Sequence, residues 1–342
     1  MSSSRRRPGA GAPDPALREP VLREPALREP PPGEPGLRDP APGEPGLRDP
    51  APGEPYTQAP VDRQGPAQSE RGLSKASTSK AGVPSIRDRK GSTVPLVMVT
   101  AYDAPSARSA SAAGVDLILV GDSLGMVVLG YEDTLHVTMD DMVSHTAAVA
   151  RTKPTQLVVA DMPWTSYHEG PAKAVANAAR LIRAGAGAVK LEGGAKRLQV
   201  LQAILDAEIP VMGHLGLTPQ SVHAMGGYRV QGRHRDEAKL LVEDAIAIAD
   251  AGCFAIVLEG IPENLAADVT RSVPVPTIGI GAGGACDGQV LVFHDLVGLS
   301  GSRLPRFARR YAELESLASQ AVAQWAADVR ARSFPSAGET YH

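Results

Sequence analysis

The chain predicts an α/β fold, a (β/α)8 TIM-type barrel preceded by a disordered Pro-rich N-terminal tail. Three observations predict it. From Pro95 onward, short β-branched runs alternate with longer Ala-rich amphipathic segments, the pattern of parallel strands joined by crossover helices. There are eight such runs, the number that closes a parallel barrel. Polar and ionisable residues gather at the C-terminal ends of those runs, where barrels of this type place their active sites. A doubly wound open sheet shares the alternation, but no Gly-x-Gly-x-x-Gly opens a helix after the first run.

The tail is set apart by proline. Of the chain's 30 prolines, 18 lie between Pro8 and Pro84. Within that stretch LREP recurs from Leu17, Leu22 and Leu27, and PGEPGLRDPA appears from Pro32 and again from Pro42. Proline removes a backbone donor and disfavours helix in the residue before it, and the scattered leucines are too few to offset ordering entropy. Residues 1–84 are therefore expected to be a disordered tail, and residues 85–342 the catalytic barrel with a C-terminal helix. Arg5, Arg6 and Arg7 run into Pro, Gly and Asp rather than an apolar stretch, and each repeat carries an acid, which disfavours secretory and organellar targeting. Two alternatives are a proline-rich ligand for a partner and a start codon assigned too far upstream.

The eight runs are residues 96–103, 117–123, 156–163, 188–193, 211–216, 253–260, 277–283 and 289–295. Residues 172–184 and 237–251 have helical periodicity and end at Gly185 and Gly252, plausible helix stops. After Pro305, the residues Tyr311, Leu314, Ala318, Val322, Trp325 and Val329 recur at three- and four-residue steps and form one apolar helical stripe. It either packs on the barrel or meets another subunit.

Beyond residue 90 the chain holds 20 Lys+Arg against 26 Asp+Glu, which is not the footprint of a nucleic-acid binder. No apolar run is long enough for a membrane span. Cys253 and Cys286 lack metal-ligand spacing, and a reducing cytoplasm is the simplest setting.

The strand ends read Tyr102-Asp103, Asp122-Ser123, Asp161, Lys190-Leu191-Glu192, His214 and Glu259. Burying that many carboxylates beside apolar strands requires positive compensation. Only Lys190 and His214 lie among them, so a hard cation such as Mg2+ is expected, with Asp122 and Asp161 as direct ligands. Glu192 shares a strand face with Lys190 and reaches the metal directly or through water. Glu259 emerges from the apolar run Ala255-Ile256-Val257-Leu258, where desolvation raises a carboxylate's pKa and suits it to act as a base. Helix capping or an ion pair with Lys190 is its plainer role. Asp103 reads as a helix cap and His214 as a hydrogen-bonded structural residue. Gly279, Gly281 and Gly283 suggest either phosphate binding or close backbone approach, and their alternation with Ile278 and Ile280 favours the second.

These segments together resemble ketopantoate hydroxymethyltransferase over residues 85–335. The carriers are MVTAYDAPSA from Met98, LVGDSLGMV from Leu119, VKLEGG from Val189, GHLGLTPQSV from Gly213, GGYRVQGR from Gly226, VLEGIP from Val257 and IGIGAG from Ile278 followed by DGQVLVFHD. The resemblance implies a magnesium-dependent barrel transferase of pantothenate synthesis, moving a one-carbon unit from 5,10-methylenetetrahydrofolate to 3-methyl-2-oxobutanoate. It assigns the metal to Asp122, Asp161 and Glu192, the substrate to Asp122, Ser123, Asp161 and Lys190, and proton removal to Glu259. It also implies a cytoplasmic homo-oligomer, commonly a decamer. Two departures are Gly260, where the family commonly has Cys, and the tail. A metal-dependent lyase or aldolase on the same barrel is the alternative, separated by its indifference to methylenetetrahydrofolate.

Because the repeats carry none of these motifs, removing residues 1–84 is expected to leave the remainder folded and active. Steady-state kinetics on the truncated chain check this; a collapse of turnover in a still-folded variant would give the tail a part in the site.

Overall fold

The computed structural model describes residues 81–301 and 304–341. The proline repeats lie outside the described residues. Eight parallel strands close in sequence order: β1 Leu96–Thr100, β2 Leu117–Val120, β3 Leu157–Asp161, β4 Ala188–Glu192, β5 Val211–Gly216, β6 Ala255–Glu259, β7 Thr277–Ile280 and β8 Gly288–Leu291. β1 pairs with both β2 and β8, so the barrel has no edge. Each expected run contains one strand.

The helices are α1 Val83–Arg87, α2 Ala104–Ala112, α3 Leu124–Val127, α4 Met139–Ala150, α5 Pro171–Ala184, α6 Leu198–Asp206, α7 Val222–Met225, α8 Arg235–Asp250, α9 Glu263–Ser272, α10 Phe293–Val297 and α11 Leu314–Arg330. Pro171 opens α5, where its missing N–H is no loss, and Gly185 closes it in the left-handed region at φ 111°. Asp103 caps α2 by accepting from Ser106 N at 2.8 Å, the role its sequence context suggested.

Side-chain alternation divides the apolar residues into two packed groups. Leu117, Leu119, Leu157, Val159, Ala188, Met212, Ala255, Val257, Ile278 and Ile280 fill the barrel. Their neighbours Ile118, Val120, Val158, Ala160, Val189, Leu191, Val211, Ile256 and Leu258 face the helices. The next inward positions beyond Val159, Ala188, Met212 and Val257 are Asp161, Lys190, His214 and Glu259. The ionisable layer is thus the last inward layer of the strands.

Two expectations need correction, and one open alternative is narrowed. The folded part begins upstream of residue 85: Ala81 N donates to Thr155 O at 2.7 Å, α1 starts at Val83, and Ile86 packs inside the barrel with Leu96 and Phe254. A truncation that spares these contacts ends before Ala81. The eighth run is not strand throughout, because β8 stops at Leu291 and Phe293–Val297 is helical, with Phe293 N donating to Thr100 Oγ1 at 2.9 Å. The stripe on α11 does not pack on the barrel: none of the helix is buried, and Leu317, Val322 and Trp325 are more than half exposed.

The N-terminal end of the barrel is tied by Asp287. Its carboxylate accepts from Gly91 N at 2.9 Å and Thr277 N at 2.8 Å, and pairs with Lys90 Nζ at 2.9 Å. Burial alone would raise the Asp287 pKa, but donation from Thr277, Lys90 and Gly91 prevails and holds it below the ordinary 3.8. A depressed folded pKa means stability present above that ordinary value and lost as pH falls through the folded one. Lys90→Met is expected to cost about 1–3 kcal/mol at neutral pH, since a buried carboxylate loses its cation. Melting curves check this, and the deficit should shrink as pH falls below 3.8.

Candidate active site

At the C-terminal end of the barrel, Asp122, Ser123, Asp161, Lys190, Glu192, His214 and Glu259 line one cavity of about 620 Å3. Every sequence-predicted site residue is brought together here. Four consecutive strands or their ends, β2 to β5, deliver Asp122, Asp161, Lys190, Glu192 and His214, and β6 adds Glu259. Register puts Asp161 beside Lys190 and Glu192 beside His214.

Lys190 lies at the centre of the charged layer. Its Nζ is 3.0 Å from Asp161 Oδ1 and 3.3 Å from His214 Nδ1, with the side chain 5% exposed. Burial would lower the Lys190 pKa, but Asp161, Glu192 and Asp122 raise it above the ordinary lysine value, so it is charged. His214 is similarly placed. Burial and Lys190 push its pKa down, yet contacts with Glu192 at 3.4 Å and Glu259 at 3.2 Å lift it to about 9. The ring bridges two carboxylates, in keeping with a hydrogen-bonded structural residue.

Asp122 is driven the other way. Burial, Asp161 and Glu192 raise its pKa well above the ordinary range, and Lys190 and Gln220 only partly oppose them. The carboxyl groups of this layer, Asp122, Asp161, Glu192 and Glu259, outnumber its two basic side chains, Lys190 and His214, and the raised Asp122 pKa reflects burial and that crowding of acids. A divalent cation would offset the crowding of acids. Among the described residues, no group of three or more His, Cys, Asp or Glu side chains is arranged to hold a metal ion. Mg2+ needs only one or two carboxylates and leaves its other positions to substrate and water. The donor set is all oxygen and therefore fits a hard cation.

Glu259 takes neither of its plainer roles. Its carboxyl is 16% exposed, more open than that of Asp161 or Glu192, and it contacts His214 rather than Lys190. It does not cap α9, whose N-terminal cap is Pro262. The apolar strand buries its stem while the carboxylate faces the cavity. Gly216, at φ 93°, allows β5 to pass here: a Cβ would lie 2.3 Å from Glu259 O. Gly281, at φ 61°, leaves room for Phe307, another residue of the cavity wall. The glycines of β7 thus serve close approach.

Sequence reasoning missed Gln220 and Tyr167. Gln220 Nε2 donates to Asp122 Oδ2 at 2.8 Å, and its backbone N–H donates to Glu192 Oε2 at 3.1 Å. Tyr167 Oη lies 2.6 Å from Gln220 Oε1. Gln220 sits inside GHLGLTPQSV, but an uncharged amide gives no contrast by which to single it out. Met126, Tyr131, Tyr228 and Phe307 form an apolar and aromatic wall of the same cavity.

The family model described as ketopantoate hydroxymethyltransferase matches residues 80–337. A 3-methyl-2-oxobutanoate hydroxymethyltransferase of Pyrobaculum islandicum is 56% identical over 241 residues, covering 70% of this chain and 92% of that protein. A second, from Bradyrhizobium diazoefficiens, is 52% identical over 259 residues, with coverage of 76% and 88%. A crystal structure of phosphonopyruvate hydrolase complexed with oxalate and Mg2+ superposes with TM-score 0.50 at 16% identity, covering 76% of this chain and 93% of that one. That last likeness shows the barrel fold.

A raised folded pKa means that ionised Asp122 opposes folding as pH rises above its ordinary value. In chelator at pH 7, Asp122→Asn is therefore expected to raise the melting midpoint, by a few degrees for about 1 kcal/mol of relieved repulsion. The same substitution should weaken Mg2+ binding. Calorimetry of the metal-free chain and a Mg2+ titration check the two halves.

Proposed function

The chain belongs to the ketopantoate hydroxymethyltransferase family, and from that premise we propose that it transfers a one-carbon unit from 5,10-methylenetetrahydrofolate to 3-methyl-2-oxobutanoate, forming 2-dehydropantoate for pantothenate biosynthesis. The observation that carries the reading is the crowded acidic layer of the cavity, with Lys190 at its centre and Glu259 at its open side.

Asp122 and Asp161 would hold a divalent cation, with Glu192 as the third acid of the set. When bound, that cation acts as a Lewis acid toward the 2-oxo acid and favours its enolate. Lys190, kept charged by its acidic neighbours, attracts the substrate carboxylate, and the Ser123 hydroxyl offers a further hydrogen bond. Tyr102 Oη, 2.8 Å from Ser123 Oγ, limits the directions that hydroxyl can take. Glu259 takes the proton from the carbon beside the ketone. His214, 3.2 Å away, restrains the Glu259 carboxylate and faces it with positive charge. Across the reaction the enolate carbon bonds to the folate-derived methylene carbon and water supplies its hydroxyl, both bonds from that carbon to nitrogen break, and the proton taken by Glu259 and one from water end on the two nitrogens to give tetrahydrofolate.

The cavity is larger than a five-carbon acid requires, and its volume lies within the range of pockets for larger ligands. Tyr228, Tyr131 and Met126 offer apolar faces on which a flat heterocycle can stack, which supports a folate as the second reactant. Among the described residues no helix is long and apolar enough to cross a membrane. A cytoplasmic homo-oligomer completes the reading, a decamer by family resemblance. The uncovered stripe of Leu317, Val322 and Trp325 supports association.

Glu259→Gln keeps size and removes basicity, so Mg2+ and the 2-oxo acid should still bind. Deuterium uptake into 3-methyl-2-oxobutanoate in heavy water, which needs no folate, is expected to slow about a hundred- to ten-thousand-fold. Exchange at the wild-type rate without product would move Glu259 to a later step.

A further inference from the structure

One neutral pair, Tyr167 and Gln220, ties together the ends of β2, β3, β4 and β5. Neither residue has a part in the proton transfer described above. Gln220 follows β5 in a single helical turn, Pro219–Ser221, and is 5% exposed; Tyr167 lies in the loop after β3 and is 1% exposed. At this burial each polar atom needs a partner. Gln220 Nε2 faces two acceptors, Asp122 Oδ2 at 2.8 Å and Met162 O at 3.0 Å, so that end of the amide must be the donor. At the other end, Tyr167 Oη donates to Oε1 at 2.6 Å and itself receives the N–H of Glu192 at 3.2 Å. The orientation of the amide is fixed at both ends.

The consequence falls on the acids. Gln220 grips Asp122 by Oδ2 through its side chain and Glu192 by Oε2 through its backbone. Among the described residues, Asp122 Oδ1 has no protein hydrogen bond. A carboxylate held by one oxygen cannot rotate freely, and it presents the other in a set direction. The holder is also uncharged. A lysine or arginine at position 220 would neutralise the acids that must attract a cation, whereas an amide donates a hydrogen bond and leaves their charge in place.

We propose that Gln220, aligned by Tyr167, is a positioning residue of the metal centre, fixing the orientation of Asp122 and Glu192 so that the acids meet a divalent cation in a ready arrangement. The inference rests on the divalent-cation reading of the acidic layer. Partners that orient metal ligands from behind typically contribute ten- to a hundredfold in metal affinity.

Gln220→Met keeps the length of the side chain and removes both amide donors. Tyr167→Phe leaves the amide and removes the hydroxyl that aligns it. Thr270→Val, near the opposite end of the barrel, deletes a hydroxyl bonded to Ala266 O at 2.7 Å and serves as a control for general loosening. Binding of Mn2+ to each full-length chain, followed by the paramagnetic resonance of the free ion at a temperature where circular dichroism shows the variant folded, is the test. Gln220→Met is expected to bind Mn2+ ten- to a hundredfold more weakly and Tyr167→Phe more weakly by a smaller factor. Thr270→Val should lower the melting midpoint without moving the affinity. Wild-type affinity in folded Gln220→Met, or an equal loss in Thr270→Val, would overturn the positioning role. If Gln220→Met does not fold, unchanged affinity in Tyr167→Phe does the same. Failure of the wild-type chain to bind Mn2+ at all would overturn the divalent-cation reading and this inference with it.

Discussion

The structure depends on how a buried layer of unlike charges is kept in balance at one end of the barrel. An ionised group taken out of water is stabilised only by its neighbours. Lys190 has such neighbours, and its charged form is favoured in spite of burial. Asp122 does not have enough of them, and its charged form is disfavoured. Burial acts against the charged form of both; for Asp122 the neighbouring acids add to it, whereas for Lys190 the same acids outweigh it, so added positive charge would shrink both shifts. That crowding of acids is what supports the divalent-cation reading.

Strand geometry delivers that layer with little freedom. Period-two alternation makes Asp161, Lys190, Glu192, His214 and Glu259 inward-facing, and parallel pairing sets which of them stand side by side. Loops then adjust the result. Asp122 lies beyond the end of β2, and its backbone N–H donates to Asp161 Oδ2 at 3.1 Å, so one acid is located by the next. Gln220 and Tyr167 act from further out. The precision of the site therefore comes from short strands backed by hydrogen-bonded turns, the combination that holds reacting groups within the narrow tolerances catalysis needs.

Much of this could be read from the sequence because charge in an apolar run is conspicuous. Asp161, Lys190 and Glu192 stand out within LVVAD and AVKLE, and the strands themselves stand out between helices that stop at Gly185 and Gly252. What was misread had no such contrast. The segment VLVFHD is apolar and β-branched enough to pass for strand, and only the distant Thr100 hydroxyl shows where helix α10 begins. Gln220 and Asp122 are 98 residues apart in the chain, a pairing that no local pattern encodes. The apolar strand before Glu259 predicts burial of its stem and says little about a carboxyl at the cavity's edge. Val83 lies within the proline-rich stretch that ends at Pro84, which masks the start of α1.

The two ends of the barrel treat the same residue type in opposite ways. Asp287 and Asp122 are both buried aspartates, 9% and 4% exposed. Asp287 receives two backbone N–H groups, a hydroxyl and a lysine, and its pKa is lowered. Asp122 receives one amide hydrogen bond and faces two further acids, and its pKa is raised. At neutral pH the first carboxylate therefore stabilises the fold and the second opposes it. This division follows from how a (β/α)8 barrel is used, with one face free to be optimised for stability and the other given over to chemistry. The unfavourable charge at the mouth can persist because the other end, where Ile86 fills the barrel and Lys90 pairs with Asp287, has no chemistry to accommodate and can be fully satisfied.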